Sequence, residues 1–333
     1  MKTITAVSSL LKRSLQVQVP LRKIIKSYST GFITREFEEV QFSVPWGHVA
    51  GKWYGPKDKR PIVGLHGWQD NAGTFDTLAP LLPSDVGFLA IDLPGHGLSS
   101  WLPEGCTYHS IDYIKILFSL MRDLKWEKIS LICHSMSAVN GFVFNSYFPD
   151  KCDMFVALDI VQPILSKNEI TVNFAIKQFE ELNKQMAISM QKTVPPSYEI
   201  EELVERLHNS TGKSISKECC KFILKRNIKP SSSSPSKYIL SRDGRLKSMI
   251  FSVFSHDELV VMAKRIKCPH LFIRNNKAKH YDSELELKEI MNALKLNPSF
   301  EEHIVDGTHH LHLTEPHKIA DILNPFINKY RPE

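Results

Sequence analysis

Apolar side chains fall along this chain in two alternating rhythms. Short runs with little polar interruption occupy residues 61–66, 86–91, 128–134, 153–159 and 269–274, and a further strand is expected near 300–305. Between them, near 75–82 and over 108–124, 136–148 and 283–294, apolar positions return at helical spacing, and a last such stretch opens at Pro316, a good first residue of a helix. Continuous apolar runs predict strands buried on both faces, and strand, turn and helix in repetition predict a mostly parallel sheet flanked by helices. Ahead of them, 35–44 and 47–55 alternate apolar and polar residues around Pro45-Trp46-Gly47, which predicts an antiparallel pair at the sheet edge.

Residues 160–266 break the rhythm. Charged helical stretches, Glu169 to Gln191 and Ile200 to Leu207, are joined by a Ser-rich loop at Pro230 to Pro235 and a turn at Ser241 to Arg245. This span reads as a helical cap inserted after the sixth strand, with 31–159 and 267–333 forming one core.

Charge separates the first thirty residues from the rest. Lys2, Lys12, Arg13, Arg22, Lys23 and Lys26 lie there with no acid, whereas the whole chain of 333 residues carries 42 basic and 36 acidic groups. Without those six the body is balanced at 36 each, so no basic surface for nucleic acid is implied. A basic, acid-free, Ser/Thr-containing leader predicts a mitochondrial presequence over 1–30 and a matrix location, the alternatives being a cytoplasmic or peroxisomal protein with a basic tail or a surface-lying amphipathic helix. No apolar stretch reaches bilayer length, so stable membrane insertion is not expected. Cys106, Cys133, Cys152, Cys219, Cys220 and Cys268 show neither a C-x-x-C pair nor zinc spacing and are expected as reduced thiols.

Chemistry concentrates where one strand meets one helix. The run from Ile129 to His134 stops at Ser135 and resumes as a helix, with Cys133 and Ser137 two residues to either side. Such a strand-to-helix turn exposes a serine at its apex and needs small neighbours, although glycine is usual in G-x-S-x-G. A doubly wound sheet without chemistry is the plain alternative; nucleotide binding would need a Gly-rich phosphate loop after the first strand, which is lacking. Further on, Asp306-Gly307-Thr308-His309-His310-Leu311-His312 offers three histidines. No carboxylate or cysteine stands at ligand spacing from them, so no metal or cofactor is expected.

His66-Gly67-Trp68-Gln69-Asp70-Asn71-Ala72 with Phe75, the Asp92 to Ser99 segment, His109 and Arg242-Asp243-Gly244-Arg245-Leu246 resemble the serine hydrolase-like, kraken-type branch of the α/β-hydrolase superfamily, over roughly residues 36–330. That resemblance implies an eight-stranded α/β-hydrolase fold with a cap, Ser135 as nucleophile and no cofactor. It also implies that the catalytic histidine precedes the helix-opening proline by seven residues, which selects His309 before Pro316 and leaves His310 and His312 to structural work. The orienting acid has two candidates. Relatives often place it after the strand ending at Ile273, where the first carboxylate is Asp282; the end of the sixth strand offers Asp159, which is preferred. Either could instead cap a helix or the start of the insertion. The backbone N–H groups of Trp68 and Met136 are expected to form the oxyanion hole. The implied reaction is hydrolysis of a small-molecule carboxylic ester or thioester through an acyl-enzyme on Ser135. The alternative is a silent hydrolase-fold protein that binds an apolar ligand or a protein partner. Dehalogenase or epoxide hydrolase chemistry would need an aspartate where Ser135 stands.

Overall fold

The computed structural model describes residues 32–165, 168–191, 195–277 and 284–331; the basic leader and Asp282 lie outside them. Strands β1 (Phe37–Val44) and β2 (Gly47–Tyr54) pair antiparallel through the expected turn, and β2 runs antiparallel to β4 (Phe88–Ile91). From β4 the sheet continues through parallel neighbours β3 (Ile62–Leu65), β5 (Ile129–His134), β6 (Cys152–Leu158), β11 (His270–Asn275) and β12 (Phe300–Val305), giving eight strands in the order β1-β2-β4-β3-β5-β6-β11-β12. Every residue of β3, β4 and β5 is buried. That is why these segments are apolar without alternation, since helices cover both faces of a parallel sheet.

Helices α1 (Ile114–Asp123), α2 (Met136–Tyr147), α6 (His256–Arg265) and α7 (Glu284–Leu294) pack on one face, where Leu117, Phe142, Met262 and Ile290 meet Val63, Leu89 and Leu131. Helix α9 (Pro316–Tyr330) closes the other face with Leu323 and Phe326 against Phe88, Ile132 and Leu271. Residues Met136–Ser146 of α2 are buried all round, and a Cβ at Gly141 would lie 2.4 Å from the Phe155 ring, so this glycine lets the helix seat directly on β6. α6, inside the span read as insertion, packs instead in the core layer through Leu259, Met262 and Ala263.

Two expected helices take another form. The region near 75–82 holds two 3-10 turns, Ala72–Phe75 and Ala79–Leu81: Asn71 accepts the Gly73 N–H, and Thr74 and Thr77 are tied across to residues 312–313, which stops a helix from forming. The helix expected from 108 begins as a 3-10 turn at Ser110 and becomes α1 at Ile114, because the backbone of 108–110 pairs with Ile250.

The insertion contains α3 (Asn168–Met190), α4 (Ile200–Ser210), α5 (Lys217–Asn227) and a hairpin of β8 (Ile228–Pro230) with β9 (Tyr238–Leu240), while β7 (Ile164–Leu165) pairs with β10 (Val253–Phe254) at its base. Its own apolar cluster, Leu203, Ile215, Cys219, Cys220 and Ile223, includes Leu313 of the core. Arg226 of α5 clamps it down, with Nη2 2.8 Å from fully buried Asp92 and Nη1 2.5 Å from Glu39. The segment from Ser241 to Arg245, expected as a connector, makes a second clamp. Arg245 pairs with Asp243 at 2.6 Å and donates to the carbonyls of Leu102, Pro103 and Cys106, and Tyr108 donates to Asp243. All six cysteines are free thiols, with only Cys106 exposed.

Candidate active site

β5 delivers Ser135 to the turn, where it adopts φ 53° and ψ −119° before α2 starts. A residue with a Cβ pays roughly 1–3 kcal/mol for such a conformation, which persists only where the surroundings impose it. They do so here through the Ser135 N–H, which donates to the Leu158 carbonyl at 3.0 Å, and through Ser137, whose hydroxyl donates to the His66 carbonyl. That last bond explains how serine is accommodated at a position that usually calls for glycine; Cys133, on the other side, is fully buried in the core.

The loop after β3 comes within touching distance of the elbow. A Cβ on Gly67 would lie 3.0 Å from His134 Nδ1 and 3.2 Å from Ser135 Cβ, so glycine is what lets the backbone of this loop approach the elbow so closely. His66 accepts the Leu93 N–H on Nε2 and donates from Nδ1 to the Gly67 carbonyl, and His96 Nε2 accepts the Gln69 N–H, which fixes the loop from behind. Met136 is the first residue of α2, so its N–H has no acceptor within the helix.

His309 lies on the loop between β12 and the short helix α8 (Leu311–Thr314). Its Nε2 is 2.9 Å from Ser135 Oγ, and its Nδ1 is hydrogen-bonded to Asp159 Oδ2. Asp159 follows β6 in a left-handed conformation, φ 71°, which aspartate tolerates better than most residues. Its N–H donates to the Ile273 carbonyl at 2.8 Å, and its second oxygen, Oδ1, accepts from the Asn275 backbone N–H at 3.1 Å and from the Asn275 side-chain amide. Of the two carboxylates weighed from the sequence, Asp159 is therefore the one that meets His309; Asp282 is not among the described residues. Asn275 was not singled out from the sequence. The signal for it is an amide two residues after Ile273, at the strand end where relatives often carry the acid.

The other histidines support this loop. His134 Nε2 donates to the His309 carbonyl at 2.9 Å, Ser214 Oγ of the insertion is 2.8 Å from His310 Nδ1, and His312 Nε2 is 2.8 Å from Thr74 Oγ1. Burial holds His134, His310 and His312 well below the usual histidine range, so all three stay neutral, while burial raises the Asp70 carboxyl to about 7. The sequence showed no acid near the histidine run; folding brings Asp70 to it. The Trp68 side chain donates to the Leu246 carbonyl at 2.6 Å and stands edge-on to Phe251, which touches Phe174 of α3. These rings link the loop at the elbow to the insertion.

A family model described as the alpha/beta hydrolase fold matches residues 60–193. The chain is 31% identical over 297 residues to a probable serine hydrolase of Drosophila melanogaster, with 88% of each covered. It is 29% identical over 298 residues to serine hydrolase-like protein 2 of Homo sapiens, covering 87% of this chain and 93% of that one. The crystal structure of a hypothetical protein of Pseudomonas aeruginosa PAO1 matches with a TM-score of 0.73 and 27% identity, over 87% of this chain and 99% of that one.

Proposed function

Because the chain belongs to the serine hydrolase-like branch of the α/β-hydrolase superfamily and is thereby read as a hydrolase, we propose that it cleaves a carboxylic ester or thioester through an acyl-enzyme on Ser135. One observation carries this reading: His309 joins the Ser135 hydroxyl on one nitrogen and the Asp159 carboxylate on the other. A serine hydroxyl becomes a strong nucleophile only when a base removes its proton as it attacks. His309 Nε2 takes that proton, Asp159 holds the ring with its Nδ1–H toward the carboxylate, and the imidazolium that forms is stabilised in place.

The oxyanion of the tetrahedral intermediate is assigned to the N–H groups of Met136 and Trp68, each such donor being worth about 3–4 kcal/mol in a serine enzyme. Collapse of the intermediate expels an alcohol or thiol, which leaves with the proton from His309. Water, activated by the same base, then releases the acid and restores Ser135. The aromatic contacts from Trp68 through Phe251 to Phe174 favour an apolar acyl group chosen by the insertion. The expected partner is thus a small-molecule acyl substrate, and the mitochondrial matrix is the proposed location.

Fluorophosphonate labelling tests the assignment. The wild-type protein is expected to label on Ser135 and turn over p-nitrophenyl esters or acyl thioesters, and Ser135→Ala is expected to lose both. Labelling of the variant at the wild-type rate would refute it.

A further inference from the structure

Three buried side chains that the hydrolytic chemistry leaves unused converge beside the elbow. Asp70 comes from the loop after β3, His134 is the last residue of β5, and His310 follows His309. One ligand atom from each lies within 4.8 Å of the others, and Asp70 Oδ2 and His134 Nδ1 are 4.0 Å apart. Neither of those two atoms makes a hydrogen bond within the described chain, although Asp70 is only 4% exposed and His134 not at all. The His134 tautomer is set from outside: Nε2 faces the His309 carbonyl, which can only accept, so Nε2 carries the proton and Nδ1 turns a lone pair toward Asp70. A carboxyl oxygen and an imidazole lone pair facing each other in a buried site repel unless a proton on the carboxyl group or a cation lies between them.

We propose that Asp70, His134 and His310 form a binding site for one divalent transition metal, with zinc the best match to two imidazoles and a carboxylate. Zinc bound at about 2.0–2.2 Å in tetrahedral geometry sets its ligand atoms about 3.4 Å apart, so the 4.0 Å pair must close by roughly 0.6 Å and a pair at the 4.8 Å limit by about 1.4 Å on binding. The surroundings match what a metal-bound histidine uses to hold its orientation: His134 is anchored on a backbone carbonyl and His310 on the Ser214 hydroxyl. Three protein ligands leave the fourth position open to water. The His309 ring centroid lies 4.7 Å from that of His134 and 5.0 Å from that of His310, so the site adjoins the residues at the elbow. Metal binding stands independently of the proposed hydrolysis.

The purified full chain, stripped with a chelator, is titrated with zinc chloride by calorimetry, and its zinc K-edge absorption is recorded. The expected result is one zinc per chain with two imidazoles in its shell, and at least tenfold weaker binding in Asp70→Asn and in His310→Gln. Absence of binding at micromolar zinc, as for a site that holds only water, would overturn the proposal. So would a shell with a single imidazole unchanged in both variants, which would place the metal on His309 itself. The absorption spectrum of the wild type decides between one and two imidazoles even if a variant fails to fold.

Discussion

Asn275 gives both its backbone N–H and its side-chain amide to Oδ1 of Asp159, the oxygen that His309 does not use. The amide stands at the end of β11 and the acid at the end of the neighbouring β6, so one strand supplies the charge and the next holds it in line.

Removing that amide should loosen the acid without neutralising it. A hydrogen bond to a charged group contributes about 1.5–3 kcal/mol, so Asn275→Ala is expected to slow ester turnover by roughly 10- to 150-fold, whereas Asp159→Asn is expected to cost on the order of 10⁴-fold. Steady-state kinetics on one ester substrate compares the two. An Asn275→Ala enzyme with wild-type kcat would show that β11 plays no part in positioning the acid.

The Arg226 clamp predicts a large stability loss from one substitution. Arg226→Met leaves fully buried Asp92 without its guanidinium, and an uncompensated buried charge costs about 3–5 kcal/mol. Urea denaturation followed by far-UV circular dichroism should show a matching fall in midpoint. A loss below about 1 kcal/mol would mean that the Ala72 and Leu98 N–H groups suffice to hold the carboxylate.

Buried histidines set the acid limit. Burial lowers His66 to about 4 and His270 to about 3 from an ordinary 6.5, and lowers His96, His134, His310 and His312 as well. Below pH 6.5 the unfolded chain takes up protons that these folded side chains refuse, so it binds more protons than the native state and stability falls with pH. The loss begins near 6.5 and runs on towards 3–4, at about 1.4 kcal/mol for every pH unit over which a histidine is charged in the unfolded chain and neutral in the fold. Asp70, raised by burial to about 7, acts in the opposite sense, because the folded state holds its proton more tightly; it is one group against six. Melting temperatures recorded from pH 8 to pH 4 should fall steadily below 6.5, and a flat profile would show that these histidines are not buried as neutral rings.

The leader makes a prediction of its own, drawn from six basic residues and no acid in residues 1–30. Import into isolated mitochondria is expected, with a mature N-terminus near residues 27–31. A protein recovered in the cytosol with Met1 intact would contradict it.

Much of the architecture could be read before folding, because its causes are local. The uninterrupted run Phe88–Ile91 and the helical spacing after Ser135 each report burial that a strand or helix imposes on its own residues. Helices expected near residue 75 and from residue 108 fared worse, since what replaces them is a bond to a distant partner: Thr74 to His312, and Ser110 to Ile250. Local spacing carries no trace of either.

The sequence by itself determined most of the succession of strands and helices and the serine at the strand-to-helix turn, and its family resemblance pointed to the histidine seven residues before Pro316. Only the tertiary structure decided which carboxylate meets His309, that Asn275 supports it, that Arg226 seals Asp92, and that Asp70 reaches His134 and His310. The physical reason is that each of these pairings crosses between segments more than sixty residues apart, and whether two such side chains touch depends on the register of parallel strands and the path of the loops. Hydrophobic period and turn chemistry specify an element, but an ion pair or a shared proton depends on distance, which exists only once the sheet has formed.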